Sequence, residues 1–352
     1  MIVAHMDLDA FYAAVEELED PLLREQPLVV GGDPRGRGVV ATANYAARRY
    51  GIRSAMSCAE ALRRCPHAAF VRPRKGVYSE YSRAVWSAVR DVVPTVERTG
   101  LDEGYLDIGE VARGVAAARA VAEAVQAAVL GSTRLTASLG VASCKVVAKI
   151  ASDRRKPGGL TVVPPGGEAA FMAPFDVRLL PGVGPRAEAR LCAAGVTTIG
   201  ALAALTEAEL RGLAAGKVGR LLRDRARGID PRPVEPEATA GNPSISSEET
   251  FAQDVSDRSR LHEEVRRMAG HVAGRLHDSG DTARTVTAKL RYSDFSIRTR
   301  STTLPVGTDD AERIAELACA LLDRALRERP GALRLVGVGV TGIERYRQLA
   351  LV

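Results

Sequence analysis

Residues 2 to 6 are mostly apolar with weak alternation, which predicts a strand that ends at Asp7. AFYAAVEELED follows as a helix that stops at Pro21. QPLVVGG reads as a second short strand, and GRGVVATANYAARRYGI runs from strand into helix. Tyr78, Tyr81, Val85 and Val89 recur at helical spacing, so residues 75 to 93 are predicted helical. A hairpin containing TGLDEGYLDIG, residues 99 to 109, comes next, and then an alanine-rich helix over 112 to 130. LTASLGVA predicts a strand, and SCKVVAKIASDRRKPGG a helix closed by Pro157 and a glycine pair. Strand, helix, hairpin, helix, strand and helix compose an α+β layer. Residues 22 to 74 read as a subdomain inserted between its first and second parts.

VVPPGGEAAFMAPF changes the pattern. From there to about Asp230 the chain reads as helical, without a strand. PRPVEPEATAGNP, residues 231 to 243, has four prolines and little apolar content, the composition of an extended linker. The last segment has its own rhythm: a helix over 259 to 278, strands TVTAKLRY and SIRTRSTTL, a helix over 308 to 326, and the strand LRLVGVGVTG. That is a second, small α+β domain.

With 352 residues the chain can form at least two cores and three or four small domains. A composition of 46% hydrophobic and 26% charged residues excludes disordered and fibrous classes. No apolar run reaches the roughly 20 residues of a membrane helix, and the N-terminus lacks a secretory pattern. Cytoplasm is the expected location. Cys58, Cys65, Cys144, Cys192 and Cys319 fit neither a zinc ligand set nor a disulfide framework, and read as reduced, mostly buried thiols. A net charge of +6 and a pI near 9.2 lean towards a polyanionic partner.

The acids carry the first candidate chemistry. A strand ending in Asp7 can meet a hairpin with Asp102 and Glu103 at its turn. Clustered carboxylates repel one another unless cations neutralise them. Such oxygen ligands suit Mg²⁺, and two such ions can stabilise the attacking and leaving oxygens of phosphoryl transfer. The residues alone equally allow solvent-facing turn acids. YAARRYG places Tyr45, Arg48 and Arg49 on the first turns of a helix, with Tyr45 and Arg48 on one face and able to grip phosphate. Lys156 stands where a helix meets a glycine-rich turn, either as a phosphate ligand or as a cationic C-cap. There is no GxxxxGK loop or dinucleotide fingerprint.

The turn from Pro181 to Gly184, PGVG, joins a short helix to one beginning near Pro185 and resembles a helix-hairpin-helix. Gly182 and Gly184 would let duplex backbone approach the helix amides. Residues 178 to 230 hold nine Lys or Arg against five Asp or Glu. Further on, Lys289 with Arg291, and Arg298 with Arg300, stand at alternate positions, which would share one sheet face and track phosphates without reading sequence. An ordinary helix turn and a solvated sheet face remain the alternatives.

Together MDLDAFYAAVE, ATANYAARRYGI, LDEGYLD, SCKVVAKIASDRRKPGG, the PGVG turn and SSEETF resemble a Y-family, DinB-type translesion DNA polymerase over essentially the whole chain. The resemblance implies a right-handed α+β polymerase. Its palm would be residues 1 to 18 and 75 to 163, its fingers 19 to 74, its helical thumb 164 to 230, its linker 231 to 242 and its little finger 243 to 352. Asp7, Asp102 and Glu103 match the metal-binding carboxylates, with the Leu8 carbonyl as a further ligand, for two Mg²⁺ ions that Mn²⁺ can replace. Thr42, Tyr45, Arg48 and Lys156 match positions around the incoming triphosphate, and Tyr12 the steric gate against a 2′-hydroxyl. Asp9 gets no metal and is expected to cap the following helix.

The implied activity is low-fidelity, template-directed addition of deoxynucleotides to a primer, with no proofreading segment and a monomeric chain away from membranes. The chain departs from the family's pattern at Thr99, Gly100 and Leu101, where a serine followed by a β-branched residue is usual, and at Gly104, where alanine is usual. Near the end, Gln348, Leu349 and Leu351 of QLALV resemble a sliding-clamp peptide, although phenylalanine is commoner than Val352. A silent scaffold would show a broken carboxylate set. A DNA-binding module would not need these acids, and a nucleotide cyclase would lack the thumb, tether and second basic sheet.

Overall fold

The computed structural model describes residues 1–213, 216–236 and 244–345. They divide into two units, Met1–Pro34 with Gly38–Thr239, and Arg35–Arg37 with Ala240–Val352. The first unit runs β1 (Val3–Leu8), α1 (Phe11–Glu19), β2 (Leu28–Gly31), β3 (Val40–Ala43), α2 (Tyr45–Arg48), α3 (Cys58–Arg64) and β4 (Ala69–Val71). It continues with α4 (Lys75–Val92), β5 (Val96–Arg98), β6 (Glu103–Asp107), α5 (Val115–Thr133), β7 (Ala137–Ala142), α6 (Lys145–Ser152) and β8 (Leu160–Val162).

Five strands form one sheet in the order β5-β6-β1-β7-β8. The predicted first strand does not stop at Asp7: it continues through it to Leu8, because Asp7 pairs with Glu103 on one side and Ser138 on the other. Alternation divides β1 between two layers. Ala4, Met6 and Leu8 join the core built with α4 and α5, whereas Val3 packs with α6 and His5 bonds Ser152 of that helix. Close approach of α6 depends on Gly140, since a Cβ there would lie 2.1 Å from the Ala148 carbonyl. By length and composition α5 is apolar enough to cross a membrane, but Ala118, Ala122, Val125 and Val129 lie in the sheet's core.

A separate three-stranded sheet, β3-β2-β4, lies in the predicted insertion. Its core uses Val29, Val40, Ala47 and Ile52. After β8 come α7 (Glu168–Met172), α8 (Pro185–Ala193), α9 (Ile199–Ala204), α10 (Glu207–Leu213) and α11 (Gly216–Ala226), as the pattern predicted.

The second unit runs β9 (Ser244–Val255), α12 (Arg258–Ser279), β10 (Asp281–Tyr292), β11 (Ile297–Thr308), α13 (Ala311–Glu328) and β12 (Leu333–Arg345). Its antiparallel sheet has the order β11-β10-β12-β9. Val286, Ala288, Leu290, Val336, Val338 and Val340 face the two helices across one core. Strand β9 was not anticipated: only Ile245, Phe251 and Val255 of its twelve residues are buried hydrophobics, too sparse for a strand pattern. All five cysteines are free, and only Cys192 is exposed.

Candidate active site

Pairing across the sheet sets the carboxylates. Leu8 N–H donates to the Asp102 carbonyl at 2.9 Å, so the loop before β6 is tied to the end of β1. That loop is held from outside as well. The Leu101 carbonyl accepts from the Ser82 hydroxyl at 2.6 Å and from the Trp86 indole N–H at 3.0 Å, both on α4. Gly104, where a larger residue is usual, is explained by the same packing: a Cβ would lie 2.6 Å from the Glu97 carbonyl and 2.8 Å from the Trp86 ring.

Asp7 and Asp102 line one cavity of about 320 Å³ together with Leu8, Tyr12, Thr42, Arg48 and Lys156. Ala10, Phe11, Ala41 and Ser54 complete its wall. Burial raises the Asp7 carboxyl above its ordinary range against the pull of Lys156. Burial raises Asp102 too, and the neighbouring Asp7 charge pushes it further. The first unit therefore keeps two adjacent carboxylates in a place that disfavours their charge.

Glu103 behaves differently. The His5 ring and the Lys149 ammonium hold its carboxyl down at about 2. Its Oε2 lies 2.5 Å from Lys149 Nζ and 3.5 Å from His5 Nε2. Turned this way, Glu103 does not line the cavity, and among the described residues no three His, Cys, Asp or Glu side chains gather as a metal group. The expected triad thus meets as a cavity pair with its third acid turned aside. The pair still suits a cation by its chemistry, because two half-buried carboxylates share one polar space.

The cations divide between two elements. Helix α6 ends at Ser152, four residues before Lys156, so Lys156 is not its C-cap. Lys156 Nζ instead reaches Asp7 Oδ1 at 2.7 Å and Asp153 Oδ1 at 2.8 Å. Arg48 and Tyr45 share a face of α2 as expected, the guanidinium 4.8 Å from the ring centre. Arg48 is further fixed by its Nε bond to the Ala43 carbonyl.

Tyr12 lines the cavity and stacks on Tyr78 at 4.1 Å, with the ring planes 13° apart. Tyr78 donates to Glu16, which also pairs with the exposed Arg74, so these polar contacts fix the ring beneath Tyr12. Asp9 does not cap α1; Ala10 stands at that position with no side-chain cap. Asp9 accepts from the Ser138 hydroxyl at 2.7 Å and the Gly158 N–H at 2.8 Å, fastening the turn that carries Lys156. Ser138, His5 and Lys149 gave no signal in the sequence and Tyr78 signalled only a helix face, since their roles come from pairing rather than spacing.

The profile of the impB/mucB/samB family matches residues 6–153, and that of its C-terminal domain residues 242–351. The chain belongs to the Y-family of DNA polymerases, DinB type. It is 44% identical to DNA polymerase IV of Halorhodospira halophila over 97% of this chain and 95% of that protein. DNA polymerase IV of Streptomyces coelicolor is 42% identical over 98% of this chain and 72% of its own length. A chimeric Y-family polymerase of Dbh and Dpo4 superposes with a TM-score of 0.89 at 25% identity, covering 98% and 100% of the two chains. DinB from Sulfolobus solfataricus gives 0.67 at the same identity and coverage. The architecture is that of Y-family enzymes, with palm, fingers, thumb and little finger, and the chain is a translesion DNA-directed DNA polymerase.

Within this Y-family chain the PGVG turn follows a 3-10 turn at Val177–Leu179 and opens α8 at Pro185. Gly182 has φ +103°, and a Cβ there would lie 2.9 Å from the Arg225 guanidinium. Gly184 stands at the N-cap without a side-chain partner for the helix amides. The basic strands need a correction. Directly paired residues share a face, and Lys289 pairs with Thr299 but Arg298 with Leu290 and Arg300 with Ala288. Lys289 and Arg291 therefore face away from the helices, while Arg298 and Arg300 lie on the helix side. Lys289 pairs with Glu248 and Arg300 with Glu328. Gln348, Leu349 and Leu351 lie outside the described residues.

Proposed function

We propose that the cavity catalyses template-directed attack of a primer 3′-hydroxyl on the α-phosphate of a deoxynucleoside triphosphate, with release of pyrophosphate. The observation that carries this reading is the meeting of Asp7, Asp102, Tyr12, Arg48 and Lys156, from five separate segments of the chain, around one polar space. Arg48 and Lys156, with Tyr45 and Thr42 beside them, would bind the triphosphate oxygens. Lys156 then exchanges Asp7 for phosphate. Tyr12, supported on Tyr78, would exclude a 2′-hydroxyl from beneath the sugar.

Asp7, Asp102, Glu103 and the Leu8 carbonyl would hold two Mg²⁺ ions, replaceable by Mn²⁺. When bound, these lower the hydroxyl pKa and offset the triphosphate charge. We assign the palm to residues 1–18 and 75–163, the fingers to 19–74, the thumb to 164–230 and the little finger to 243–352. Gly182 and Gly184 would present helix amides to duplex phosphate, and the open face of β10 a sequence-independent track. The reading extends to low fidelity, a cytoplasmic monomer, and clamp binding through QLALV.

Primer extension by purified protein with Mg²⁺ and four deoxynucleotides tests the proposal against the Asp102→Ala/Glu103→Ala variant. Extension is expected from the intact protein and none from the variant. Binding of primer–template without extension, in Mg²⁺ or Mn²⁺, would favour a scaffold. Equal extension by both would remove these acids from the reaction.

A further inference from the structure

The tip of the β10–β11 hairpin, YSDFS, is built rigidly and points an aromatic ring outward. Asp294 accepts from Ser296 N–H at 3.0 Å and from Arg329 Nη2 at 2.8 Å. Tyr292 donates its hydroxyl to the Arg329 carbonyl at 2.8 Å, anchoring the tip to the second unit's core. On this base Phe295 is 55% exposed and holds φ +64°. That is a left-handed conformation, which is strained for a residue that carries a Cβ. Neither hydrophobic burial nor local backbone preference accounts for a phenylalanine here.

Two guanidiniums lie close to the ring. Arg291 lies 5.1 Å and Arg334 4.6 Å from its centre. Arg284, Lys289, Arg300 and Arg329 of the same unit each pair with a carboxylate. Among the described residues Arg291 and Arg334 have no such pairing, and Arg291 Nε is buried without a hydrogen-bond partner. An exposed flat ring beside two unneutralised guanidiniums matches the chemistry of a nucleotide chain, which offers a flat base and phosphates next to it.

We propose that Arg291, Phe295 and Arg334 form a docking point for single-stranded DNA, the ring stacking on one unpaired base and the guanidiniums taking the flanking phosphates. A guanidinium and a base stack on the same ring face, so the base displaces one arginine, which turns to the adjacent phosphate. A paired base inside a duplex offers no free face to the ring. Phenylalanine forms no hydrogen bond with base edges, so the contact is indifferent to sequence. This goes beyond the cavity's reaction and beyond a duplex-tracking sheet.

The test is anisotropy of a short labelled oligo-dT with the full chain over a salt series. Phe295→Gly removes the ring and relieves the backbone, so the variant should keep its melting temperature. Its affinity should fall roughly five- to 150-fold, the range of one lost stacking contact, and Phe295→Trp should retain wild-type affinity. Arg291→Gln with Arg334→Gln should lower the slope of log affinity against log salt by about 1.4, two phosphates of single strand. Unchanged affinity in Phe295→Gly, failure of Phe295→Trp to retain it, or an unchanged slope would each overturn the proposal. Primer extension by the same preparations reports separately on the cavity, so failure of one reading leaves the other standing.

Discussion

Adjacent acids at the hairpin have opposite linkage to pH. Glu103, held at about 2, is ionised in the folded state where the unfolded chain is still partly protonated. Its contribution is present above the ordinary value of 4.5 and is lost as pH falls from there towards about 2. Asp102 is raised by burial and by Asp7, so the folded state keeps a proton that the unfolded chain has released. Stability from this residue falls as pH rises through the window between 3.8 and the raised value, and the deficit persists to neutrality. Asp102→Asn removes that deficit. In metal-free buffer at neutral pH the variant should be more stable than the wild type, by about 1 kcal/mol, as at other functional sites whose strain is relieved. The gain should vanish in acid, and extension should be lost. A melting series in chelator across pH checks this; a variant less stable at neutral pH would mean that the paired acids cost the fold nothing.

At the scale of elements, the hairpin depends on how close β5 lies to β6. Arg98 pairs with Gly104, and the Cβ of an alanine would have to displace both the Glu97 carbonyl and the Trp86 ring. Gly104→Ala should therefore destabilise the protein by about 1–3 kcal/mol, even though alanine is usual in the family, because Trp86 fills the space here. Chemical denaturation measures it, and an unchanged midpoint would show that β5 yields freely. This pairing marks the limit of what the sequence reveals. Asp7, Asp102, Tyr12, Arg48 and Lys156 were legible because each stands in a short motif, and the helices were legible because their apolar faces repeat. Residues whose role comes from register were not. Arg298 and Arg300 alternate with their neighbours as a phosphate track would, yet pairing with Leu290 and Ala288 turns them to the helix side. Asp9 looks like a cap by position and is instead a tie between β7 and the Lys156 turn. Strand β9 escaped because its open face carries serine and glutamate where alternation would need contrast.

At the scale of the whole molecule, the candidate catalytic residues and the basic sheet fall in different units. Every candidate catalytic side chain belongs to the first unit, while the second has a core of its own, formed by α12, α13 and one face of the four-stranded sheet. Leu261, Met268, Leu276, Ile314 and Leu322 are buried there against strand residues of the same unit. A core of that kind needs no partner to exclude water from its apolar faces. A fragment covering residues 240 to 352 should then fold alone, with mixed helix and strand signal and one cooperative melt. Its open sheet face retains Lys289, Arg291 and a row of hydroxyls, so it should bind DNA with an affinity that falls steeply with salt. It should add no nucleotide to any primer. Circular dichroism and a salt titration decide the matter together. A folded fragment without DNA affinity would place the grip in the first unit, with the PGVG turn; an unfolded one would mean that this core depends on the rest of the chain.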